Sequence, residues 1–264
     1  MSTLRERDPL VRIQHQADGA VLRLSLDRPP LNVLSMDLLS KLRTAIADAA
    51  AQPTLKALVV DAAPGSRAFC AGVDVADHTA DRVAAMLGMF HHVCLALRDF
   101  PLPTVAVVDG AALGGGCELA ASCDLLLASP RARFGQPEIK LAAFAPVASL
   151  LLPAAIGPQR AADWLFTGRT VGAEEAAAAG LVGRLAPEGG LAEVEADVVA
   201  ALAGASAAVL RLAKRALRAG DGMGFAERLR HLERLYLGEL MATADAHEGL
   251  AAFLEKRPPR WQER

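Results

Sequence analysis

The sequence predicts an α/β fold with a largely parallel sheet, followed by a helical C-terminal region. Three patterns support this prediction. Strand and helix signals alternate through the first half of the chain, several strands are continuous apolar runs, and helical patterns dominate from about residue 155, leaving little room for strands after Leu191. We therefore divide the chain into a core of residues 1–190 and a helical region of residues 191–264.

The predicted elements of the core can be justified in order along the chain. Residues 11–26 are expected to form a hairpin, because two strand patterns flank an Asp-Gly turn signal at Asp18. A helix is expected after Ser35, which can cap its start, and the apolar strand 56–62 follows. The remaining predicted core elements are a helix at 81–100, a strand at 103–110, a helix at 116–122 and a strand at 124–129.

The composition predicts a protein whose partner is small or neutral. Lys and Arg total 28 against 30 Asp and Glu, which gives a net charge of -2 at pH 7. Such a chain has no overall attraction for nucleic acid or for an anionic membrane. The four cysteines form no C-x-x-C pair, and the N-terminal residues are charged where a secretory signal would be apolar, so we expect a reduced, cytoplasmic protein.

One uncharged segment, residues 141–159, is long enough to span a bilayer. It contains Pro146, Pro153 and Pro158, and no second apolar segment of this kind occurs in the chain. These features favour a buried turn followed by a helix over a membrane span.

The stretch "ALGGGCELA" at residues 112–120 places three glycines shortly before a carboxylate in an apolar run. The glycines lie where a predicted strand is followed by a helix, and the first N–H groups of a helix have no partner within it. Neither of the common phosphate-binding glycine patterns fits. The stretch is either a tight packing contact or an oxyanion site, with Glu118 on the following helical turn.

Two further stretches carry candidate groups. "RFGQPEIKL" contains Glu138, which is either an ordinary solvated carboxylate or the partner of Glu118 in one pocket. In the second case repulsion and burial would separate the two protonation equilibria and allow one acid and one base. "RAFCAGVDVADH" is either an ordinary loop or the source of a second donor, the Val73 N–H, for the oxygen that the Gly115 N–H would hold.

Together the three stretches resemble the enoyl-coenzyme A (CoA) hydratase/isomerase family, also called the crotonase family. They occur in order at the family's spacing, and the segments "LDRPPLNVLS", "FTGRTVGAEEAAAAGLVGRL" and "EGLAAFLEKRPPRW" extend the resemblance over nearly the whole chain. The resemblance implies a spiral of strand-strand-helix repeats with a C-terminal helical trimerisation region. It also implies a homotrimer or a dimer of trimers.

The resemblance also implies roles for individual residues. Val73 and Gly115 would form the oxyanion hole that polarises the carbonyl of an acyl-CoA thioester, and Glu118 and Glu138 would be the catalytic pair. CoA would lie against the Val73 loop and the C-terminal tail. The expected CoA-binding residues are Ala71, Val73, Asp74, Val75, Phe253 and Lys256, and the expected acyl-pocket residues are Phe144, Pro146 and Val147.

The implied reaction is syn addition of water to a double bond conjugated to the thioester. Glu118 would act on the water and Glu138 would deliver a proton to the α-carbon, with the pair titrating as a unit. Retention of both glutamates favours hydration over isomerisation, because relatives that only shift double bonds commonly keep one. No metal or redox cofactor is implied, and the six histidines form no ligand pattern.

One segment departs from the pattern of many hydratases. A glycine-rich run after the second glutamate is replaced here by Pro146, Val147, Ala148 and Ser149. With "AGVDVADH" and "RPPLNVLS", this segment most resembles the subgroup of cyclohexa-1,5-diene-1-carbonyl-CoA hydratases. A less flexible loop could suit a flat ring or could serve packing alone. A general short-chain enoyl-CoA hydratase, an isomerase and an acyl-CoA hydrolase are the alternatives.

Nucleic-acid binding is the alternative from a different functional class. Some relatives of this family bind RNA, and Arg211, Lys214, Arg215 and Arg218 lie near one face of a predicted helix. The net charge of -2 and the scarcity of aromatic residues favour a solvated face instead.

Overall fold

A computed structural model describes residues 10–219 and 223–264. Two sheets form its core, one with the strand order β1-β2-β3-β5-β7-β10 and one with the order β4-β6-β8-β9. The strands are β1 (Val11–Gln16), β2 (Val21–Leu26), β3 (Ala57–Ala62), β4 (Ala68–Cys70), β5 (Thr104–Val108), β6 (Ala111–Leu113), β7 (Leu125–Ala128), β8 (Arg133–Gly135), β9 (Thr170–Gly172) and β10 (Arg184–Leu185). The helices are α1 (Met36–Ala50), α2 (Val83–Arg98), α3 (Gly115–Ala121), α4 (Pro146–Ile156), α5 (Pro158–Thr167), α6 (Ala173–Ala179), α7 (Leu191–Ala203), α8 (Ala207–Arg218), α9 (Phe225–Leu235) and α10 (Ala244–Leu254).

From β3 to β8, successive strands alternate between the two sheets. In the first sheet β3, β5 and β7 lie side by side in parallel, and in the second β4, β6 and β8 do the same. Each turn of the chain therefore adds one strand to each sheet and then continues into a helix. The predicted α/β spiral of strand-strand-helix repeats is confirmed, and the predicted hairpin of β1 and β2 begins the first sheet.

The long elements agree with the sequence prediction because their apolar residues repeat at helical spacing. In α1 the buried residues include Leu38, Leu42 and Ile46, which lie four residues apart on one face of the helix. The Ser35 side chain accepts a hydrogen bond from the Leu38 N–H, as a helix cap does. Local sequence and core packing therefore favour the same start for this helix.

The short strands were not predicted from the residues alone. Four strands of the second sheet have three residues each, and β9 and β10 lie beyond residue 155, where the sequence indicated helices. A three-residue segment is too short to show a period, so pairing with neighbouring strands decides its conformation.

The expectation of a buried turn before α4 is wrong. Leu141 is 67% exposed and Phe144 is 74% exposed, so the chain turns at the surface before α4 begins at Pro146. The helix itself contributes Leu152 and Ile156 to the core. Among the described residues no single helix is long and apolar enough to cross a bilayer, and α7 with α8 reaches that length only as a pair bent by 106°.

Several contacts attach the helical region to the core, among them the packing of α7 and the ion pairs of α8. α7 packs its Val198 side against apolar residues on one face of the six-stranded sheet. At α8, Asp124 forms ion pairs with Lys214 at 2.6 Å and with Arg218 at 2.7 Å, and Lys214 is only 7% exposed. Because Arg215 pairs with Glu239, three of the four basic residues considered for RNA binding are engaged within the protein.

Candidate active site

Glu118 is almost completely buried in α3, with 3% of its surface exposed. Its Oε1 atom accepts a hydrogen bond of 2.7 Å from the Ala148 N–H, and the Val147 N–H also donates to this carboxyl. Both donors belong to the first turn of α4, where N–H groups have no partner within the helix. The segment that replaces a glycine-rich loop therefore holds the carboxyl of Glu118 through its backbone.

The protonation of Glu118 is shifted toward neutral pH. Burial raises the pKa of this carboxyl from 4.5 to about 7, because the charged form loses its hydration. The hydrogen bond from the Ala148 N–H lowers this pKa, and the charge of Glu138 raises it. The hydrogen bond from the Val147 N–H also lowers it, by less. A carboxyl with a pKa near 7 can both take up and release a proton at physiological pH.

Glu138 lies beside Gly114, on the single helical turn Pro137–Leu141. A Cβ atom built on Gly114 would lie 2.5 Å from Oε1 of Glu138, so only glycine leaves room for the carboxyl there. The other oxygen, Oε2, is buried and has no hydrogen-bond partner among the described residues. Burial raises the pKa of Glu138, while the backbone N–H of this residue and the charge of His78 lower it. Since the charge of Glu138 also acts on Glu118, the two carboxyls belong to one site.

The N–H groups of Val73 and Gly115 lie close together, where the loop after β4 meets the start of α3. A Cβ atom built on Gly115 would lie 3.3 Å from the Val73 nitrogen, and one built on Gly116 would lie 2.2 Å from the carbonyl oxygen of Cys70. This close approach of two backbones explains why the sequence has glycine at both positions. In the part of the chain that the structure describes, no backbone hydrogen bond uses the N–H of Val73 or Gly115, so both can serve an acceptor.

The predicted CoA-binding residues fall into two groups. Ala71, Asp74 and Val75 lie on the same loop as Val73, and Val75 is 65% exposed. Phe253 and Lys256 lie at and just after the end of α10, and both are exposed. None of the hydrogen bonds or ion pairs between described residues joins the first group to the second.

Two of the three predicted acyl-pocket residues line a cavity of about 590 Å³ between α2 and α4. Pro146 and Val147 are part of its wall, whereas the exposed Phe144 is not. We call this space the α2–α4 cavity. Its lining residues are His91, Cys94, Leu95, Arg98, Ser122, Pro146, Val147, Leu150, Leu151 and Ala154.

Most of this lining was missed from the sequence, although its spacing carried a signal. The α2 residues 91, 94, 95 and 98, and the α4 residues 147, 150, 151 and 154, both follow the spacing i, i+3, i+4, i+7 of a single helix face. That spacing predicts that one face of each helix is shielded from solvent. It does not show whether protein side chains or a ligand shield this face. The N–H donors of α4 were missed as well. Nearly every residue has a backbone N–H, so the residue types at these positions do not show which N–H groups face Glu118.

Comparisons with known proteins identify the family of this chain. The family profile described as enoyl-CoA hydratase/isomerase matches residues 16–264. Cyclohexa-1,5-dienecarbonyl-CoA hydratase of Thauera aromatica is 39% identical over 263 residues, covering 99% of this chain and 100% of that protein. A probable enoyl-CoA hydratase of Mycobacterium bovis is 37% identical over 255 residues, covering 94% of this chain and 97% of that protein.

Solved structures show the same fold. The crystal structure of an enoyl-CoA hydratase from Bacillus anthracis superposes with a TM-score of 0.91 at 31% identity, covering 97% of this chain and 100% of that one. The crystal structure of an enoyl-CoA hydratase from Mycobacterium smegmatis superposes with a TM-score of 0.90 at 29% identity, covering 96% of this chain and 99% of that one. With matches of this extent in both sequence and structure, the chain belongs to the enoyl-CoA hydratase/isomerase family.

Proposed function

We propose that this protein adds water to the double bond of an α,β-unsaturated acyl-CoA, with a cyclic dienoyl-CoA as its preferred substrate. It is an enzyme of the enoyl-CoA hydratase type. The observation that carries the proposal is the pair formed by the buried carboxyl of Glu118 and the half-buried carboxyl of Glu138, both with raised pKa, in one site. Such a pair can divide acid and base catalysis between its two members.

The neighbouring N–H groups of Val73 and Gly115 serve the substrate carbonyl in this proposal. Two N–H donors fixed by the backbone stabilise the negative charge that develops on the thioester oxygen as water adds. Both groups are held by the contact between the β4 loop and α3, so they require no rearrangement when the charge forms. Loss of one such donor typically raises the barrier by about 3 kcal/mol.

The two glutamates act on the water and on the α-carbon. Glu118, held by the first turn of α4, removes a proton from the water as its oxygen joins the β-carbon. Glu138 delivers a proton to the α-carbon on the same face, which gives syn addition. Because the charge of Glu138 acts on Glu118, we expect the pair to titrate as a unit. The proton transfers need no metal and no redox cofactor.

CoA is proposed to lie along the Val73 loop, against Ala71, Asp74 and Val75. Phe253 and Lys256 would complete its site from the end of α10. Oligomerisation through the helical region, as a homotrimer or a dimer of trimers, is also a proposal. It is supported by exposed apolar side chains on this region, among them Phe225, Leu237, Phe253 and Leu254.

The preference for a cyclic acyl group rests on the segment after Glu138 and on the relative from Thauera aromatica. Pro146 is the first residue of α4, so this wall of the site is a helix rather than a flexible glycine loop. A rigid wall favours a rigid planar group, since less conformational freedom is lost on binding.

The specificity constants of two substrates test this preference. If the pocket favours the ring by about 2 kcal/mol, kcat/KM for hydration of a cyclic dienoyl-CoA should exceed that for crotonyl-CoA by roughly 30-fold. Both thioesters would be compared with the purified protein by chromatography of the hydrated products. Equal or higher efficiency with crotonyl-CoA would instead favour a general short-chain enoyl-CoA hydratase. Several relatives are named as probable or putative enoyl-CoA hydratases.

Isomerisation is the second candidate, because the matching family includes isomerases. An isomerase would use the same N–H pair and would move a proton between carbons without adding water. The mass of the product separates the candidates, since hydration adds one water, isomerisation adds nothing, and thioester hydrolysis releases free CoA.

A further inference from the structure

The stretch "LDRPPLNVLS" contains a polar side chain, that of Asn32, with no exposed surface. It lies in a loop between β2 and α1, residues 28–34, which we call the 28–34 loop. The backbone of Asn32 has a φ of 51°, in the left-handed region, which asparagine tolerates better than most residues. A buried amide is expected to serve specific partners, and those partners indicate what it does.

The side chain of Asn32 joins the 28–34 loop to β4. Its Nδ2 atom donates to the carbonyl oxygen of Ala68 at 3.1 Å and to that of Phe69 at 3.0 Å. Its Oδ1 atom accepts a hydrogen bond of 2.9 Å from the Arg28 N–H, at the start of the same loop. One side chain therefore closes the loop on itself and attaches it to the strand that leads into the Val73 loop.

The end of the 28–34 loop holds the backbone on both sides of Val73. The Leu34 N–H donates to the carbonyl oxygen of Gly72 at 2.9 Å, and the Asp74 N–H donates to the carbonyl oxygen of Leu34 at 3.2 Å. Leu34 and Val73 thus face each other as a parallel bridge. Leu34 has no exposed surface, so this end of the loop is fixed in the core.

The hydrogen bond to Gly72 determines the direction of the Val73 N–H. The carbonyl of Gly72 and the N–H of Val73 belong to one planar peptide group, and in a trans peptide they point in opposite directions. Because Leu34 holds the carbonyl, it also directs the N–H away from the 28–34 loop. A hydrogen bond weakens steeply when its donor is misaligned, so the strength of this donor depends on the loop.

We propose that Asn32 is a positioning residue for the oxyanion hole. Through the 28–34 loop it fixes the peptide group whose N–H, that of Val73, donates to the thioester oxygen. The proposal rests on the proposed function, because it takes this N–H as a donor to the substrate. Asn32 acts through the backbone, and its own side-chain amide is engaged by β4.

Two variants of Asn32 and one control test the effect on turnover. Asn32→Gly removes the side chain and still allows the left-handed backbone. Its kcat for hydration of crotonyl-CoA should fall at least ~tenfold with KM within about threefold, because the donor acts most strongly in the transition state. Asn32→Ser keeps one hydroxyl donor and should give a kcat between those of Asn32→Gly and wild type.

The control is Thr104→Val, at another position with no exposed surface. It removes a hydroxyl that donates to the Asp124 carboxylate and accepts from the Asp124 N–H, each at 2.9 Å. This variant also loses buried hydrogen bonds, but they lie outside the 28–34 loop. Its kcat should stay within about twofold of wild type, since the oxyanion hole is unchanged.

The carbonyl group of a bound thioester reports the oxyanion hole directly. Butyryl-CoA is saturated and cannot be hydrated, and a carbon-13 label at its carbonyl isolates the stretching vibration in infrared difference spectra. Hydrogen bonds from two fixed donors should lower this frequency in wild type and in Thr104→Val relative to the free thioester in water. In Asn32→Gly the shift should shrink by at least roughly half, because one donor is misaligned. A loss of stability alone would not change this shift in folded, ligand-bound protein.

An unchanged carbonyl shift in a folded Asn32→Gly would overturn the proposal, and so would an unchanged kcat or the absence of any shift in wild type. If Asn32→Gly does not fold, Asn32→Ser provides the same comparison. Failure of both to fold while Thr104→Val folds would also overturn it, since Asn32 would then be a requirement of folding. A wild-type protein that shifts the carbonyl but hydrates no enoyl-CoA would contradict the proposed function, and the carbonyl shift of the variants would still decide the role of Asn32.

Discussion

Replacement of Glu118 by glutamine should make the protein more stable at pH 8. The cause is the burial that raises the pKa of this carboxyl from 4.5 to about 7. Between these two pH values the folded protein binds more protons than the unfolded chain, so stability falls as pH rises through this interval. Above pH 7 the fold carries the whole cost of a buried charge, and a neutral glutamine removes that cost.

The size of the effect follows from the same shift. A rise of the pKa from 4.5 to about 7 corresponds to about 3 kcal/mol of unfolding free energy at pH 8, and to less than about 1 kcal/mol at pH 5. The glutamine oxygen can still accept the hydrogen bond from the Ala148 N–H, so this contact need not be lost. Urea denaturation at both pH values, with all samples at one protein concentration, would measure the difference.

A matched control is Asp48→Asn, which neutralises an exposed carboxyl on α1. Such a surface change should alter stability by no more than about 0.5 kcal/mol at either pH. The reasoning would be refuted if Glu118→Gln gave no gain at pH 8, or if its gain were equally large at pH 5. Either result would mean that burial does not raise the pKa of the Glu118 carboxyl.

Three further predictions follow from the site and its supports. Glu138→Gln should lower kcat at least ~100-fold with thioester binding retained, as steady-state kinetics and calorimetry would show; near wild-type hydration would rule out the two-carboxyl mechanism. Gly116→Ala should destabilise the protein strongly, because its Cβ would lie 2.2 Å from the carbonyl oxygen of Cys70; a melting temperature equal to that of wild type would contradict this contact. Asp124→Asn should lower the free energy of unfolding by about 3 kcal/mol in urea denaturation, because it breaks the buried ion pairs with α8. Asp109→Asn, which breaks an exposed ion pair, should lower it by less than about 1 kcal/mol. Similar losses in the two variants would refute the role assigned to burial.

The long elements and the motif residues could be predicted from the sequence. The apolar spacing of α1 and the cap at Ser35 are local signals, and the structure follows them. Glu118, Glu138 and Gly115 were found because carboxylates and glycines stand out beside apolar residues. Val73 was found because its loop and the family resemblance indicated a second N–H donor. Their roles remain proposals, but the structure brings these four residues to one place.

What the sequence could not show depends on contacts between distant segments. The three-residue strands of the second sheet form because neighbouring strands pair with them. They are too short to show the alternation of apolar and polar residues that would predict a strand. The N–H donors that hold Glu118 belong to Val147 and Ala148, about thirty residues later in the chain. Likewise, the sequence predicts that the basic residues of α8 are solvated, whereas Lys214 forms an ion pair with Asp124 of the core.

The mass of the product formed in isotopically labelled water tests the central claim most directly. The purified protein would be incubated with crotonyl-CoA and with a cyclic dienoyl-CoA, and the thioesters would be analysed by mass spectrometry. The account predicts a product that has gained one labelled water and keeps its CoA, with formation slowed at least ~100-fold in both Glu118→Gln and Glu138→Gln. A product of unchanged mass, or release of free CoA, would contradict the claim that these two carboxyls add water to the double bond.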